Sequence, residues 1–216
     1  GDLAYMQYLK NGKIEEITFT QFSMFCKATT AWVKEQSEKK GHKIRVALYG
    51  KNNPEYVQLM LGVVCGGGVS IPIDVQADED TICAVINKSE ADILLYDINT
   101  PINEKSVLDR CSTLSDIKIM NDPENSMCEE ISSKYSGTDV ISDAKKEECA
   151  LILFTSGTTG EGKGVMLSNG NLIDNVFNSE FKKFSKKLNI LPINHAFCIK
   201  GDFLISFATG STVCIN

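Results

Sequence analysis

The chain has 216 residues, of which 43% are hydrophobic and 23% are charged, and its net charge at pH 7 is −6. A chain of this length buries roughly 70% of its unfolded surface, so it is predicted to fold as one or two globular α/β units. The negative charge argues against a nucleic-acid-binding protein, and no apolar run approaches the length of about 18 residues that a membrane span needs.

Eight cysteines are scattered along the sequence without a Cys-x-x-Cys pair. This spacing predicts neither a disulfide framework nor a zinc site. No basic-then-apolar leader opens the sequence, which favours a cytoplasmic protein. Four cysteines lie in apolar surroundings and are predicted to be small core residues: Cys65, Cys83, Cys149 and Cys214.

The first half of the chain alternates strand and helix patterns. An Asn11-Gly12 turn between two short apolar runs indicates a β-hairpin. Thr20 is predicted to cap the first long helix, and Pro54 takes the favoured first position of the second, which the glycines at 66–68 end. The predicted elements are strands at 3–8, 14–18, 44–49, 69–73 and 92–96 and helices at 20–40, 54–65 and 80–89. This alternation predicts a parallel sheet with helices on both faces.

The second half is less regular. Residues 97–148 show short apolar runs between turn residues and are predicted to be peripheral. The run 150–154 indicates a buried strand, and 165–167 continues as a second extended segment. The remaining predicted elements are a helix from Ser168 or Asn169 to Phe184, a strand at 188–191, a helix at 199–208 and a strand at 211–215.

The segment TSGTTGEGKG at 155–164 lies between two apolar strands and contains four glycines, four hydroxyl side chains and one lysine. Glycine lets the backbone approach an anion closely, hydroxyl groups donate hydrogen bonds, and Lys163 adds a positive charge. A flexible linker would not be flanked by core strands on both sides. The segment is therefore predicted to be a phosphate-binding loop.

A P-loop NTPase is the nearest alternative, because residues 157–163 fit the first positions of its GxxxxGK[ST] motif. Gly164 stands where that motif needs a Ser or Thr hydroxyl for magnesium. The residues that follow also look extended, whereas a P-loop leads directly into a helix. This alternative is disfavoured.

The loop resembles the signature TSGTTGxPKGV of the adenylate-forming superfamily, which includes acyl-CoA synthetases, amino-acid adenylation domains and luciferases. One departure is Gly162, which stands in place of proline and makes the free loop looser. Three further segments resemble the family in order and spacing: FTQF at 19–22, NPEYVQLMLGVVCGGGVSIPID at 53–74 and ILPINHAF at 190–197. The resemblance runs from about residue 14 to residue 216 and is weakest over 97–148.

In this superfamily a carboxylate attacks the α-phosphate of ATP, and a thiol then takes the acyl group from the adenylate. The resemblance implies that Lys163 is the charged catalytic contact and that His195 lines the acyl-substrate site. The implied contacts to the β- and γ-phosphates are Thr155, Ser156, Gly157, Thr158, Thr159, Gly160 and Lys163. The implied ligands are ATP, Mg²⁺ with its main ligand beyond residue 216, and CoA or a carrier-protein pantetheine.

Amino-acid-activating relatives carry a Phe-Asp-x-Ser element near this histidine, and its aspartate pairs with the substrate ammonium. This chain has Asn194, His195, Ala196 and Phe197 instead. A fatty or other acyl acid without an amine is therefore predicted as the substrate of an acyl-CoA-synthetase-like ligase. The alternatives are an amino-acid adenylation domain and a non-catalytic nucleotide- or acyl-binding module.

The family's later elements, among them its Tyr-Gly-x-Thr-Glu segment and its C-terminal lysine, are not found in these 216 residues. The chain is therefore expected to be an N-terminal fragment that is inactive alone. Residues 44–187 are predicted to form a first α/β subdomain that ends with the phosphate loop and the following helix. Residues 1–43 and 188–216 are predicted to belong to a second subdomain truncated at 216, with the C-terminal domain absent.

Overall fold

The computed structural model of the chain describes residues 2–155, 162–178 and 185–215. The strands in this part are β1 (Ala4–Lys10), β2 (Lys13–Thr18), β3 (Arg45–Tyr49), β4 (Val69–Ile73), β5 (Ile93–Tyr96), β6 (Asp116–Ile119), β7 (Cys149–Thr155), β8 (Lys163–Ser168), β9 (Lys186–Asn189) and β10 (Thr212–Ile215). The helices are α1 (Phe19–Lys40), α2 (Pro54–Cys65), α3 (Glu79–Ser89), α4 (Glu104–Arg110), α5 (Met127–Lys134), α6 (Asn169–Phe177), α7 (Ala196–Cys198) and α8 (Ile205–Thr209), with a π-helical segment, Ile199–Leu204, between the last two.

The strands form two sheets. The larger sheet has the order β6-β5-β3-β4-β7-β8, and all its pairs are parallel except β7–β8. The smaller sheet has the order β2-β1-β10-β9, and all its pairs are parallel except the hairpin β1–β2. The predicted α/β fold, with parallel-sheet layers and helices on both faces, is confirmed.

Local sequence signals start the two long helices. Thr18 Oγ1 accepts a hydrogen bond of 3.1 Å from Gln21 N, and Gln21 Oε1 accepts one of 2.8 Å from Thr18 N. This capping box starts α1, so the prediction of Thr20 as the cap is wrong: the threonine with a glutamine three residues later is the one that caps. α2 begins as predicted, with Asn53 as its N-cap and Pro54 in its first turn.

The larger of two hydrophobic clusters joins the two sheets. It contains Val46 and Leu48 of the larger sheet as well as Met6 and Val213 of the smaller one. The intervening residue Ala47 belongs to the other cluster, on the α3 side of the larger sheet, because successive strand residues face opposite sides. The division into subdomains stays a prediction, and its boundary after residue 187 falls inside β9.

Residues 97–148 contribute to the core. Met120, Met127 and Ile131 are at most 2% exposed and belong to the larger cluster, and Val107 is fully buried on the α3 side. The prediction of a peripheral segment is wrong for these residues, although β6 does form the edge of its sheet. Sequence patterns do not reveal this burial, because each of these elements is short and only a few of its residues reach the core.

The boundary of α6 also differs from its prediction. Ser168 caps the helix as predicted, with Oγ accepting a hydrogen bond of 3.1 Å from Asn171 N. The helix ends at Phe177, and Asn178 N donates to Asp174 O at 2.9 Å. Residues 179–184 of the predicted helix lie outside the described residues.

The last strand–helix unit begins earlier than predicted. β9 starts at Lys186 and ends at Asn189, because parallel pairing with β10 aligns Thr212 with Lys186 and Ile215 with Asn189. Ile190 is 78% exposed and follows the strand. Apolar character alone placed the predicted strand two residues too late.

The cysteine predictions are correct in part. Cys83 is buried, but Cys65 is exposed, and Cys149 and Cys214 are half-buried. The buried cysteines are Cys83, Cys111, Cys128 and Cys198. Cys65 is the last residue of α2, and its apolar sequence neighbours do not reveal that it faces outward.

Candidate active site

The predicted phosphate loop begins and ends on adjacent antiparallel strands. Thr155, the last residue of β7, pairs with Lys163, the first residue of β8, and both are exposed. Thr155 Oγ1 donates a long hydrogen bond of 3.5 Å to Lys163 O. The hairpin thus brings one hydroxyl and one ammonium side chain to the same edge. The other predicted phosphate contacts lie outside the described residues: Ser156, Gly157, Thr158, Thr159 and Gly160.

The residues after the loop are extended, as predicted. Lys163 begins a strand, and the next helix starts only at Asn169. A P-loop would enter a helix directly after its lysine. The geometry therefore agrees with the exclusion of that motif.

Two glycines of the loop signature lie close to β7. A Cβ added at Gly162 would lie 3.1 Å from the Thr155 carbonyl oxygen, and one at Gly164 would lie 3.2 Å from Phe154 Cζ. Both distances are shorter than ordinary van der Waals contact. A side chain at either position would require Thr155 or Phe154 to shift by a few tenths of an ångström.

An apolar cavity of about 370 Å³ lies beneath one face of this hairpin. β7 and β8 supply three leucines, and α6 and the segment from His195 to Leu204 supply the remaining walls. Residues 152 and 154 line cavities on the opposite face, because strand side chains alternate. The lining residues are Leu151, Leu153, Leu167, Leu172, Asn175, His195, Ala196, Phe197, Ile199, Lys200 and Leu204.

His195, the residue predicted for the acyl site, is exposed and lines this cavity. Its backbone N donates a hydrogen bond of 3.0 Å to Pro192 O, and its carbonyl accepts one of 3.1 Å from Ile199 N. These two bonds hold a turn in front of α7, with His195 at the N-cap. The imidazole is therefore placed where the cavity opens to solvent.

A second polar pair, which sequence reasoning missed, lies at the same cavity. Lys200 Nζ donates a hydrogen bond of 2.8 Å to Asn175 Oδ1, which joins the π-helical segment to α6. The two residues are 25 positions apart. No local pattern connects them, because their contact depends on how two separate helices pack.

A buried polar network lies behind the His195 turn. Asn189 is 3% exposed, and its Nδ2 donates 2.8 Å to Asp202 Oδ2 and lies 3.1 Å from Cys198 Sγ. Burial, followed by the charge of Asp202, raises the pKa of Cys198 to about 12. The thiol stays protonated at neutral pH, so it is not a candidate nucleophile. Asp202 is a member of this network and does not line the cavity.

The other face of the hairpin borders a cavity of about 620 Å³, which Thr155 and Gly162 share with α3. Asp74 lines it, and its Oδ1 accepts a hydrogen bond of 2.9 Å from Gln76 N. A side-chain bond to the backbone two residues on is typical of a turn-forming aspartate. Over residues 2–155, 162–178 and 185–215, no group of three or more His, Cys, Asp or Glu side chains is placed to hold a metal ion. No helix within these ranges is long and apolar enough to cross a membrane.

The chain matches the AMP-binding enzyme family over residues 2–216. It is 28% identical over 180 residues to long-chain-fatty-acid–CoA ligase ACSBG2 of Mus musculus, a match that covers 76% of this chain and 26% of that protein. It is 31% identical over 147 residues to a plipastatin synthase of Bacillus subtilis (strain 168), a match that covers 68% of this chain and 5% of that protein. The chain spans about a quarter of the length of its fatty-acid CoA ligase relatives.

Solved structures share the fold. The N-terminal domain of FACL13 from Mycobacterium tuberculosis has a TM-score of 0.81 at 17% identity, over 100% of this chain and 53% of that one. The A-PCP didomain of carboxylic acid reductase from Segniliparus rugosus, in complex with AMP, has a TM-score of 0.83 at 14% identity, over 100% of this chain and 37% of that one. Identities this low bear on the fold alone. From the family match across residues 2–216, the chain belongs to the AMP-binding enzymes of the adenylate-forming superfamily, and it is similar to fatty-acid CoA ligases among them.

Proposed function

We propose that the full-length protein is an AMP-forming acid–thiol ligase, which adenylates a fatty or other acyl acid and passes the acyl group to a thiol such as CoA. One observation carries the proposal: the apolar cavity and the phosphate-loop edge belong to the same hairpin. Leu153 lines the cavity two residues before Thr155, which is about 7 Å along a strand. An acid whose tail occupies the cavity can thus present its carboxylate near bound phosphates.

The proposed reaction has two steps. A carboxylate oxygen attacks the α-phosphorus of ATP, the bond from that phosphorus to the bridging oxygen breaks, and pyrophosphate leaves. A thiol sulfur, having lost its proton to solvent, then attacks the acyl carbon, and AMP leaves with its electron pair. We propose that Thr155 and Lys163 hold the β- and γ-phosphates together with Ser156, Gly157, Thr158, Thr159 and Gly160. Their task is positioning and neutralisation of charge on the departing pyrophosphate.

Mg²⁺ is the metal ion that commonly accompanies ATP phosphates, and it prefers carboxylates and water as its other ligands. The described residues offer no cluster of His, Cys, Asp or Glu that fits a metal ion. As the family resemblance implies, we propose that the main protein ligand of Mg²⁺ lies beyond residue 216. The contribution of this chain to the phosphate site is the charge of Lys163 and the hydroxyl and backbone donors of the loop.

Amino-acid adenylation is a second candidate, favoured by the 31% identity to the plipastatin synthase. The cavity argues for an acyl acid instead. Its walls, as far as the chain is described, include His195 and Lys200 but no Asp or Glu. An amino acid's ammonium group would enter it without a carboxylate partner, which is costly in an apolar site.

ATP–pyrophosphate exchange by the full-length protein tests the proposal over a panel of fatty, aryl and amino acids. Exchange with fatty or aryl acids, followed by thioester formation with CoA or a pantetheine-loaded carrier protein, is the expected result. Exclusive activation of an amino acid would establish the second candidate. ATP binding without exchange for any acid would indicate the non-catalytic binding module.

The 216-residue chain is expected not to catalyse exchange alone, because it spans only about a quarter of its ligase relatives. Robust exchange by this chain in isolation would contradict that expectation. A cytoplasmic location for the full-length protein likewise stays a prediction.

A further inference from the structure

One asparagine ties the larger sheet to the segment that carries His195. Asn52 lies in the loop after β3, and its side chain makes three hydrogen bonds to residues 189–193. Its Nδ2 donates to Asn189 Oδ1 at 2.6 Å and to Leu191 O at 2.7 Å. Its Oδ1 accepts from Ile193 N at 2.9 Å. Both amide protons and the carbonyl of this side chain are therefore engaged with the same segment.

The segment that Asn52 holds leads directly into the acyl-site turn. Ile193 is 2% exposed and lies two residues before His195. The next bond along the chain is the turn bond from His195 N to Pro192 O at 3.0 Å. The main chain on the N-terminal side of the imidazole is thus held at two consecutive points.

The same network reaches the C-terminal side of the turn. Asn189, which accepts from Asn52, donates to Asp202 in the π-helical segment and contacts Cys198 at the end of α7. His195 therefore lies between two parts of the chain that one set of hydrogen bonds connects. Coupled hydrogen bonds in a buried setting stiffen the elements they join.

We propose that Asn52 is a positioning residue for the acyl site: it holds the turn on one side of His195 and, through Asn189, the helix on the other. This inference rests on the proposed function. Asn52 does not line the cavity, so it acts on the acid through His195 and not by contact. Its loss should therefore weaken binding of the acid and leave binding of ATP nearly unchanged.

Asn53 provides a matched control one residue away. Its Oδ1 accepts a hydrogen bond of 2.7 Å from Tyr56 N as the N-cap of α2, and its Nδ2 donates 3.1 Å to Lys51 O. Both bonds stay within residues 51–56. Asn53→Ala therefore lowers the stability of the same region without releasing the segment 189–193.

The first measurement is amide hydrogen exchange in the full-length protein, with Asn52→Ala and Asn53→Ala beside the wild type. We expect the Ile193 amide to exchange about tenfold faster in Asn52→Ala and at the wild-type rate in Asn53→Ala. Unchanged exchange of Ile193 in Asn52→Ala would overturn the proposal. This readout needs no catalytic activity, so it shows whether Asn52 holds the segment 189–193 even if the proposed function fails.

The second measurement is steady-state ATP–pyrophosphate exchange with the best acid of the panel. We expect Asn52→Ala to raise the KM for the acid about tenfold and to change the KM for ATP less than about twofold. Equal increases in both constants, or the same acid effect in Asn53→Ala, would overturn the proposal. Absence of exchange by the wild type with every acid would refute the proposed function and leave the hydrogen-exchange result standing.

Asn52→Gln keeps the test available if Asn52→Ala does not fold. Glutamine retains the two donors and the acceptor, but its longer side chain displaces them from Ile193 N, Leu191 O and Asn189 Oδ1. We expect an acid KM between those of the wild type and Asn52→Ala. A KM equal to that of the wild type, together with faster exchange of the Leu191 and Ile193 amides, would show that positioning does not control acid binding.

Discussion

The α1–α2 interface is tightly packed, whereas the β7–β8 hairpin borders an open cavity. At the closest points between the two helices, the neighbouring atoms belong to the chain itself. A Cβ added at Gly62 would lie 2.8 Å from Thr29 Oγ1, and one at Gly66 would lie 3.1 Å from Thr30 Cα. The two helices can approach this closely only because glycine has no side chain at these positions.

At the hairpin, a cavity of about 370 Å³ remains, which exposed His195 lines, and exposed Thr155 and Lys163 lie at the end of the same two strands. Under the proposed function, a bound ligand contacts these exposed polar side chains. We therefore expect stability and the proposed activity to depend on separate regions of the molecule. Substitutions at the helix interface should lower stability, and substitutions at the hairpin should lower activity.

The largest expected effect is on activity. Lys163→Ala should lower kcat/KM for ATP–pyrophosphate exchange roughly 100-fold in the full-length protein, because it removes a charge that we propose faces the departing pyrophosphate. The melting temperature should stay unchanged, since the side chain is exposed. Lys13→Ala is the control, because Lys13 is likewise an exposed first residue of a strand, β2. Equal activities of the two variants would remove Lys163 from the proposed site.

A stability effect of about 2 kcal/mol is expected from Gly62→Ala, because the new Cβ overlaps the fully buried Thr29. Chemical denaturation measures it. Thr29→Ala removes Oγ1 and Cγ2, two of the three close atoms, so the double variant should be more stable than the sum of the single effects predicts. Strict additivity would show that these two residues are not the point of contact. The KM values for acid and ATP should remain those of the wild type.

A smaller, selective effect is expected at the cavity wall. Leu172→Phe should lower kcat/KM for a long acyl acid about tenfold relative to a short one, because added volume in an apolar pocket excludes methylene groups. Leu188→Phe, at a 61% exposed position in β9, is the control and should leave the ratio unchanged. A ratio that does not move in Leu172→Phe would mean that the acyl chain binds elsewhere.

The smallest expected effect is on the pH dependence of stability, through Glu35 of α1. Hydrogen bonds from Lys39, Tyr135 and Lys134 lower the pKa of Glu35 from 4.5 to about 2. Because the folded pKa lies below the unfolded one, the stabilisation is present above about pH 4.5 and is lost as the pH falls toward 2. The difference in unfolding free energy between wild type and Glu35→Gln should therefore shrink over this range, and also with added salt. A difference independent of pH would contradict the assigned cause.

Much of the fold follows from local patterns. The strand after residue 44, the helix that begins at Pro54 and the strand that leads into Thr155 all lie where their apolar runs and punctuating residues predict them. The predictions fail where a residue distant in sequence determines the end of a strand or the burial of a side chain. β9 ends at Asn189 because β10 aligns it, and Met120 is buried because it joins a cluster that includes Met127 and Ile131 of α5.

The candidate site divides in the same way. The loop signature and His195 are identifiable from sequence, whereas only the structure shows that Thr155 pairs with Lys163 and that His195 lines a cavity with residues of β7 and β8. Asn52 is not identifiable from sequence, because it is 137 positions from Asn189 and 141 from Ile193. In the sequence, an asparagine before a helix looks like an ordinary loop residue. Only the tertiary structure shows its contacts with residues 189–193.

The α/β class and the chemistry of the loop are encoded locally, because glycine flexibility, hydroxyl donors and a lysine charge are properties of residues that stand next to one another. Which side chains lie beside that loop is determined only by the tertiary fold. The apolar cavity lies between the β7–β8 hairpin and the helices that follow, and the Asn52 network joins the loop after β3 to the end of β9. The free energy that joins them comes from burial summed over residues far apart in the chain, and no local stretch of sequence contains that information.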